Sequence, residues 1–115
     1  MEESLYPAPS KEISQKRKEL APEILAAFQS FSQHVFADGA LPSKIKELIA
    51  VAVAHVTQCP YCIRSHTKRA SLKGATEQEI MEAIWVAAEM RAGAASAHSA
   101  LAIDAMKHHE VKPNA

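Results

Sequence analysis

The chain has 115 residues, 48% of them apolar and 23% charged, and its 13 basic side chains balance 13 acidic ones for a formal net charge of zero. That length fits one domain with a real hydrophobic core, near the size where association often supplements stability, and the balanced charge gives no pull toward nucleic acid or an acidic membrane surface. No apolar run approaches the roughly 18 residues of a spanning helix, and the acidic, Pro-containing start MEESLYPAPS lacks a basic-then-apolar leader, so a cytoplasmic protein without membrane contact is expected.

Residues 1–9 hold two prolines and read as a flexible arm, suited to packing on a neighbour; the domain proper is expected over 10–107, with 108–115 as a tail. A short helix is predicted from about Ser10 to Leu20. Pro22 suits the first position of a second helix, in which Leu25, Phe28, Phe31, Val35 and Phe36 recur at helical spacing. The stretch 37–42, with Gly39 and Pro42, breaks it. Ser43 is read as the N-cap of a third helix, Lys44 to about Thr57, apolar on nearly all faces beyond its first turn and therefore central. A fourth helix opens at Cys59-Pro60 and runs toward Gly74, which has the right identity for a C-terminal cap. Thr76-Glu77-Gln78-Glu79 is a capping box that opens a long fifth helix. Its run Ala92-Gly93-Ala94-Ala95-Ser96-Ala97 has only small side chains, so either a kink or a close second backbone is expected there, with helix resuming to about Met106. No strand signal, internal repeat or phosphate loop competes. The fold class is all-α, a single-domain bundle of five to six helices.

Both cysteines lie in Cys59-Pro60-Tyr61-Cys62, with His66 after them and Glu47 twelve residues before the first. Two thiols three residues apart can close a disulfide, and in a reducing compartment a persistent staple is improbable, so the pair points to redox turnover or metal ligation. Cys62 and His66 are four apart on one helix, which allows the imidazole to lie on the same face as the sulfur and help form a thiolate, the nucleophilic species. A thiolate so formed can attack a hydroperoxide O–O bond and become a sulfenic acid, which the second thiol condenses into a disulfide. From the helix dipole alone, Cys59 at the N-cap would be the more acidic sulfur.

The set Glu47, C-x-x-C and His66, followed by GATEQEIMEAIWVAA, resembles the alkyl hydroperoxidase D and carboxymuconolactone decarboxylase-like family, over about residues 20 to 105. The resemblance implies an alkyl hydroperoxidase D-like helical domain in which Cys62 attacks, Cys59 resolves, and Glu47 and His66 relay protons. It implies a dithiol-dependent peroxidase with no organic cofactor and no metal, reduced by an external dithiol. A lipoyl-bearing protein is the reductant the family suggests; a thioredoxin-like one is equally open from the sequence. Relatives of this kind form trimers or hexamers, and for so short a chain a hexamer is expected. Glu47 read alone is a carboxylate in the first turn of a helix, favourable and solvated there; the family alignment turns it into the relay.

His55, two turns after Glu47, and His98, after the small-residue run, are secondary candidates for the relay, because Tyr61 stands where some relatives place a further histidine. Each also reads as a structural histidine. Trp85, Ile84 and Met81 form a packing stripe, Lys68, Arg69 and Lys73 a solvated face, and Arg64 is exposed. Alternative functions are a thiol-disulfide oxidoreductase acting on protein or small disulfides, a zinc site built from Cys59, Cys62, His66 and His55, and a decarboxylase-type lyase, against which the intact cysteine pair argues.

Overall fold

Pro22, Pro60 and the Thr76 capping box set three of the five helix starts among the described residues of this all-α chain. The computed structural model describes residues 5–109 and Pro113; positions 1–4 of the expected arm and 110–112, 114 and 115 of the expected tail lie outside the described residues. The helices are α1 (Lys11–Leu20), α2 (Pro22–Phe36), α3 (Ser43–Thr57), α4 (Pro60–Leu72) and α5 (Glu77–His108). Ser10 caps α1 by accepting the Ile13 N–H at 3.1 Å, and Pro22 and Pro60 occupy first-turn positions where a missing N–H costs nothing. At the start of α5 the Thr76 hydroxyl accepts from Glu79 N–H at 3.1 Å, while the Glu79 carboxylate accepts from Thr76 N–H at 2.9 Å.

Ser43 is not the N-cap of α3. The helix already includes it, Pro42 takes the cap position, and the orphan Ser43 N–H is satisfied from further back, by Asp38 Oδ1 at 2.7 Å. At its other end α3 stops on Gln58, whose left-handed backbone (φ 57°) turns the chain straight into Cys59 and Pro60. The end of α4 is closed by backbone bonds from Gly74 N–H to Ser71 O and from Ala75 N–H to Ala70 O, both 3.0 Å, with Gly74 at φ 94°. Nothing lies within 4 Å of the position a Gly74 Cβ would take, so Gly74→Ala carries a purely conformational cost. It should lower stability by about 1 kcal/mol, read as a shift in denaturant midpoint at unchanged slope.

α3 is the central helix, packed along both α4 and α5, whereas α2 touches it only briefly and α1 packs on α2 alone. The core that results is small. Val51, Ala70 and Ala75 form its centre with Leu48, Ile80 and Ile84 partly buried against them, and Val51 is the largest fully buried side chain. Of the expected stripe on α5, only Ile84 reaches this core; Trp85 is 68% exposed and Met81 52%. The small-residue run causes no break, because α5 is one 32-residue helix to His108, two residues past the expected Met106. No second backbone approaches Gly93 either: a Cβ there would meet only the Glu89 side chain. The radius of gyration is 20.2 Å, against about 13 Å for a compact domain of this length.

Candidate functional site

The α3–α4 turn at Gln58 lays α4 back along α3, and this pairing brings Glu47 to His66 across 19 residues of sequence. His66 Nδ1 lies 2.6 Å from Glu47 Oε1. Glu47 is buried and His66 nearly so, so the pair is shielded from the water that weakens exposed contacts. A hydrogen bond from Nδ1–H to the carboxylate fixes the ring and leaves Nε2 as the free acceptor. Phe36, the last residue of α2, stacks on the imidazole with ring centroids 5.0 Å apart and 26° between planes. The ring is thus held by a carboxylate on one side and an aromatic face on another.

His66 and Cys62 both line a cavity of about 420 Å³. Its walls are largely apolar, with Val35 and Phe36 from α2 and Ile49, Ala50 and Val53 from α3. Lys46 stands at its edge and donates from Nζ to Ala37 O at 2.7 Å, which ties the 37–42 turn to α3. Phe36 and Lys46 were not singled out from sequence as parts of a site. Phe36 carried only the helical spacing of a packing residue, and Lys46 carried no pattern at all.

Cys59 is the N-cap residue of α4, and its sulfur accepts the Cys62 N–H at 3.3 Å. Both cysteines are free thiols, each half-buried. The hydrogen bond from the Cys62 side chain, reinforced by the backbone N–H of Cys62, holds the Cys59 thiol below its ordinary pKa. The same hydrogen bond, with burial and the Cys59 charge behind it, pushes Cys62 up. In the reduced pair the first proton to leave comes from the two sulfurs together, and the resulting charge rests on Cys59. Since the thiolate is the species that alkylates, labelling by iodoacetamide should reach Cys59 at lower pH than Cys62 and decline as pH drops through the depressed pKa of Cys59. Cys62 should label only at more alkaline pH. Peptide fragmentation across a pH series reads this directly, and labelling of Cys62 first would reverse the assignment.

His55 is half-buried, does not line the cavity, and its Nδ1 lies 2.7 Å from Val51 O. Eight residues past Glu47 is a rotation of about 80° beyond two full turns, which puts His55 on the opposite flank of α3 from Lys46, Ala50 and Val53. His98 is exposed on the outer half of α5 and does not line the cavity. Among the described residues no three of His, Cys, Asp and Glu are grouped to hold a metal ion, and no helix is long and apolar enough to cross a membrane.

The sequence profile of the carboxymuconolactone decarboxylase family matches residues 22–105. The chain is 68% identical over 73 residues to the Paracoccus denitrificans protein called uncharacterized protein 4 in cox locus; the match spans 64% of this chain and 66% of that one. A crystal structure of a carboxymuconolactone decarboxylase family protein from Legionella pneumophila superposes with a TM-score of 0.66 at 36% identity, covering 85% of this chain and 90% of that one. A Thermotoga maritima structure, described as a family member and a candidate for involvement in antioxidative response, matches with a TM-score of 0.53 at 34% identity, over 56% of this chain and 66% of that one.

Proposed function

The chain belongs to the carboxymuconolactone decarboxylase family, and from that premise we propose that it is a dithiol peroxidase, reducing organic hydroperoxides through a Cys59/Cys62 cycle with Glu47 and His66 as proton relay. One observation carries the reading. The buried 2.6 Å contact between Glu47 and His66 fixes an imidazole in the same apolar cavity that Cys62 lines. Nothing in a packing role calls for a carboxylate there, and a buried carboxylate–imidazole pair on a cavity is the usual arrangement for moving a proton.

In this reading His66 Nε2 takes the Cys62 thiol proton as the sulfur attacks the terminal oxygen of the hydroperoxide, into the σ* orbital of the O–O bond. Sulfur bonds to one oxygen, the O–O bond breaks, and the leaving alkoxide takes the proton from His66 to become an alcohol. Cys62 is then a sulfenic acid. The Cys59 thiolate attacks that sulfur, hydroxide leaves and is protonated to water, and the disulfide remains. An external dithiol, lipoyl-bearing or thioredoxin-like, restores both thiols. The Thermotoga relative's described link to antioxidative response supports the same direction. Decarboxylation, the reaction in the family's name, makes no use of a cysteine pair.

A second reading, thiol-disulfide exchange on protein or small disulfides, is favoured by the low-pKa Cys59 sulfur at the N-cap. The two diverge at Glu47. Glu47→Gln keeps the shape and an acceptor oxygen but removes the charge, so hydroperoxide consumption with dithiothreitol as reductant should fall about 100-fold. An unchanged rate would remove the relay, and a wild type inert to hydroperoxide but active on disulfides would give the second reading the place of the first.

Assembly is part of the proposal. Neither α1 nor α2 contributes a buried residue, and a core centred on one valine and small alanines cannot offset the ordering of five helices. A homo-oligomer, with a hexamer as the expected form and a trimer as the smaller alternative, would cover the apolar sides these helices present.

A further inference from the structure

The cavity that Cys62 and His66 line is longer than their chemistry needs. On α3 its lining runs from Lys46 to Thr57 in steps of one, three and four residues, one face of the helix over about 17 Å. Between those two ends the stripe is aliphatic, with Ile49, Ala50, Val53 and Ala54. Of the described residues that line the cavity, only Lys46 carries a permanent charge. It stands at one end of the stripe, next in sequence to the carboxylate that holds His66, while Cys62 lies one turn of α4, about 6 Å, beyond His66 toward the α3–α4 turn. Cation and sulfur are therefore set apart along the length of an apolar channel.

The ammonium is held in place and not neutralised. Lys46 Nζ donates to Ala37 O at 2.7 Å, and a Cβ on Gly39 would lie 3.6 Å from it, so the 37–42 turn fixes it at the cavity edge. That bond takes one of three donors. The neighbouring carboxylates are engaged elsewhere: Glu47 meets His66, Asp38 accepts from Ser43 N–H, and Glu79 pairs with Lys44. None of the ion pairs among the described residues includes Lys46. A half-buried cation at the rim of an apolar channel is matched by an apolar body with one anionic head group. A single ammonium balances a single negative charge, which favours a carboxylate over a phosphate.

We propose that the substrate is the hydroperoxide of a long-chain carboxylic acid, with its carboxylate on Lys46, its acyl chain along Ile49 and Val53, and its O–O group part-way down the chain at Cys62. The inference rests on the peroxidase reading above and names its substrate class. Sulfur bonds to the terminal oxygen, the O–O bond breaks, and the chain alkoxide takes the proton from His66, so the product is the corresponding hydroxy acid. Lys46 stays protonated throughout and serves binding alone.

One arm of the test needs no turnover. In calorimetry the reduced wild type should bind decanoate about tenfold more tightly than decanol, and Lys46→Gln, which keeps a donor for Ala37 O, should bring the two affinities together. The second arm compares kcat/KM for linoleic acid hydroperoxide and its methyl ester, which share an apolar body and differ in charge. The wild type should favour the acid by about tenfold, mostly through KM; Lys46→Arg should keep that preference, Lys46→Gln should lose it, and added salt should reduce it. A ratio of acid to ester that Lys46→Gln leaves unchanged, or equal binding of decanoate and decanol by the wild type, would overturn the proposal even with hydroperoxide consumption intact. Decanoate binding that depends on Lys46, in a protein that consumes neither hydroperoxide, would uphold the carboxylate site and remove the peroxidase reading instead.

Discussion

Replacing Cys62 by serine should abolish hydroperoxide consumption, while Cys59→Ser should stop after one turnover with a sulfenic acid on Cys62. Two physical effects oppose each other at this dithiol. Acidity favours Cys59, whose thiol is held below its ordinary pKa by its hydrogen bonds with Cys62. Position favours Cys62, which shares an apolar cavity with His66 and need not be a resting thiolate, because the imidazole can take its proton as the sulfur attacks. A sulfur outside the cavity gains nothing from the proposed relay. The prediction is checked by hydroperoxide consumption for each variant, with dimedone capture of the sulfenic acid. Capture on Cys59 in the Cys62→Ser variant, with activity retained there for one turnover, would exchange the two roles.

The second large effect concerns the outer half of α5. Met90, Ala94, Ala97 and Leu101 recur on one side of the helix about one turn apart, all exposed, with Met90 at 62% and Leu101 at 67%. In water an apolar stripe of this length is covered by something, and its small residues allow another helix to approach closely. Ala97→Glu with Leu101→Glu should convert the proposed homo-oligomer to a smaller species in light scattering and lower its thermal transition, since burial of a single leucine contributes about 1.5–3 kcal/mol. The cavity walls at Ile49 and Val53 are also half exposed, so dissociation should weaken peroxidase activity together with stability. An unaltered mass would mean that α5 is not the assembly surface.

Much of the fold was legible because helix boundaries here are written in local chemistry. Pro22, Pro60 and the Thr76–Glu79 box act within one turn, and each begins or immediately precedes a helix where its chemistry requires. Ser43 has the identity of a cap but not the place of one, because the oxygen that meets its N–H comes from Asp38, across a turn that residue spacing does not describe. Trp85 and Met81 read as core from their spacing, and spacing identifies an apolar side without saying which chain covers it. For the site, the i to i+4 step from Cys62 to His66 is legible in any helix. The contact between Glu47 and His66 is not, since it depends on how tightly the chain reverses at Gln58; family resemblance supplied it. His55 shows the limit of counting turns, because the 80° left over after eight residues decides which flank a side chain takes. The acidity of Cys59 rests first on the hydrogen bond from the Cys62 side chain and then on the N-cap bond from the Cys62 N–H, of which only the second is legible as a cap, and its exclusion from the cavity required the packed helices.

The most direct test of the central claim is intact-protein mass spectrometry of fully reduced protein before and after one equivalent of cumene hydroperoxide, with free thiols counted in parallel. A dithiol cycle predicts rapid loss of two hydrogens and of both thiols, with the Cys59–Cys62 disulfide found by peptide mapping. An unchanged mass with both thiols intact would contradict the peroxidase reading outright.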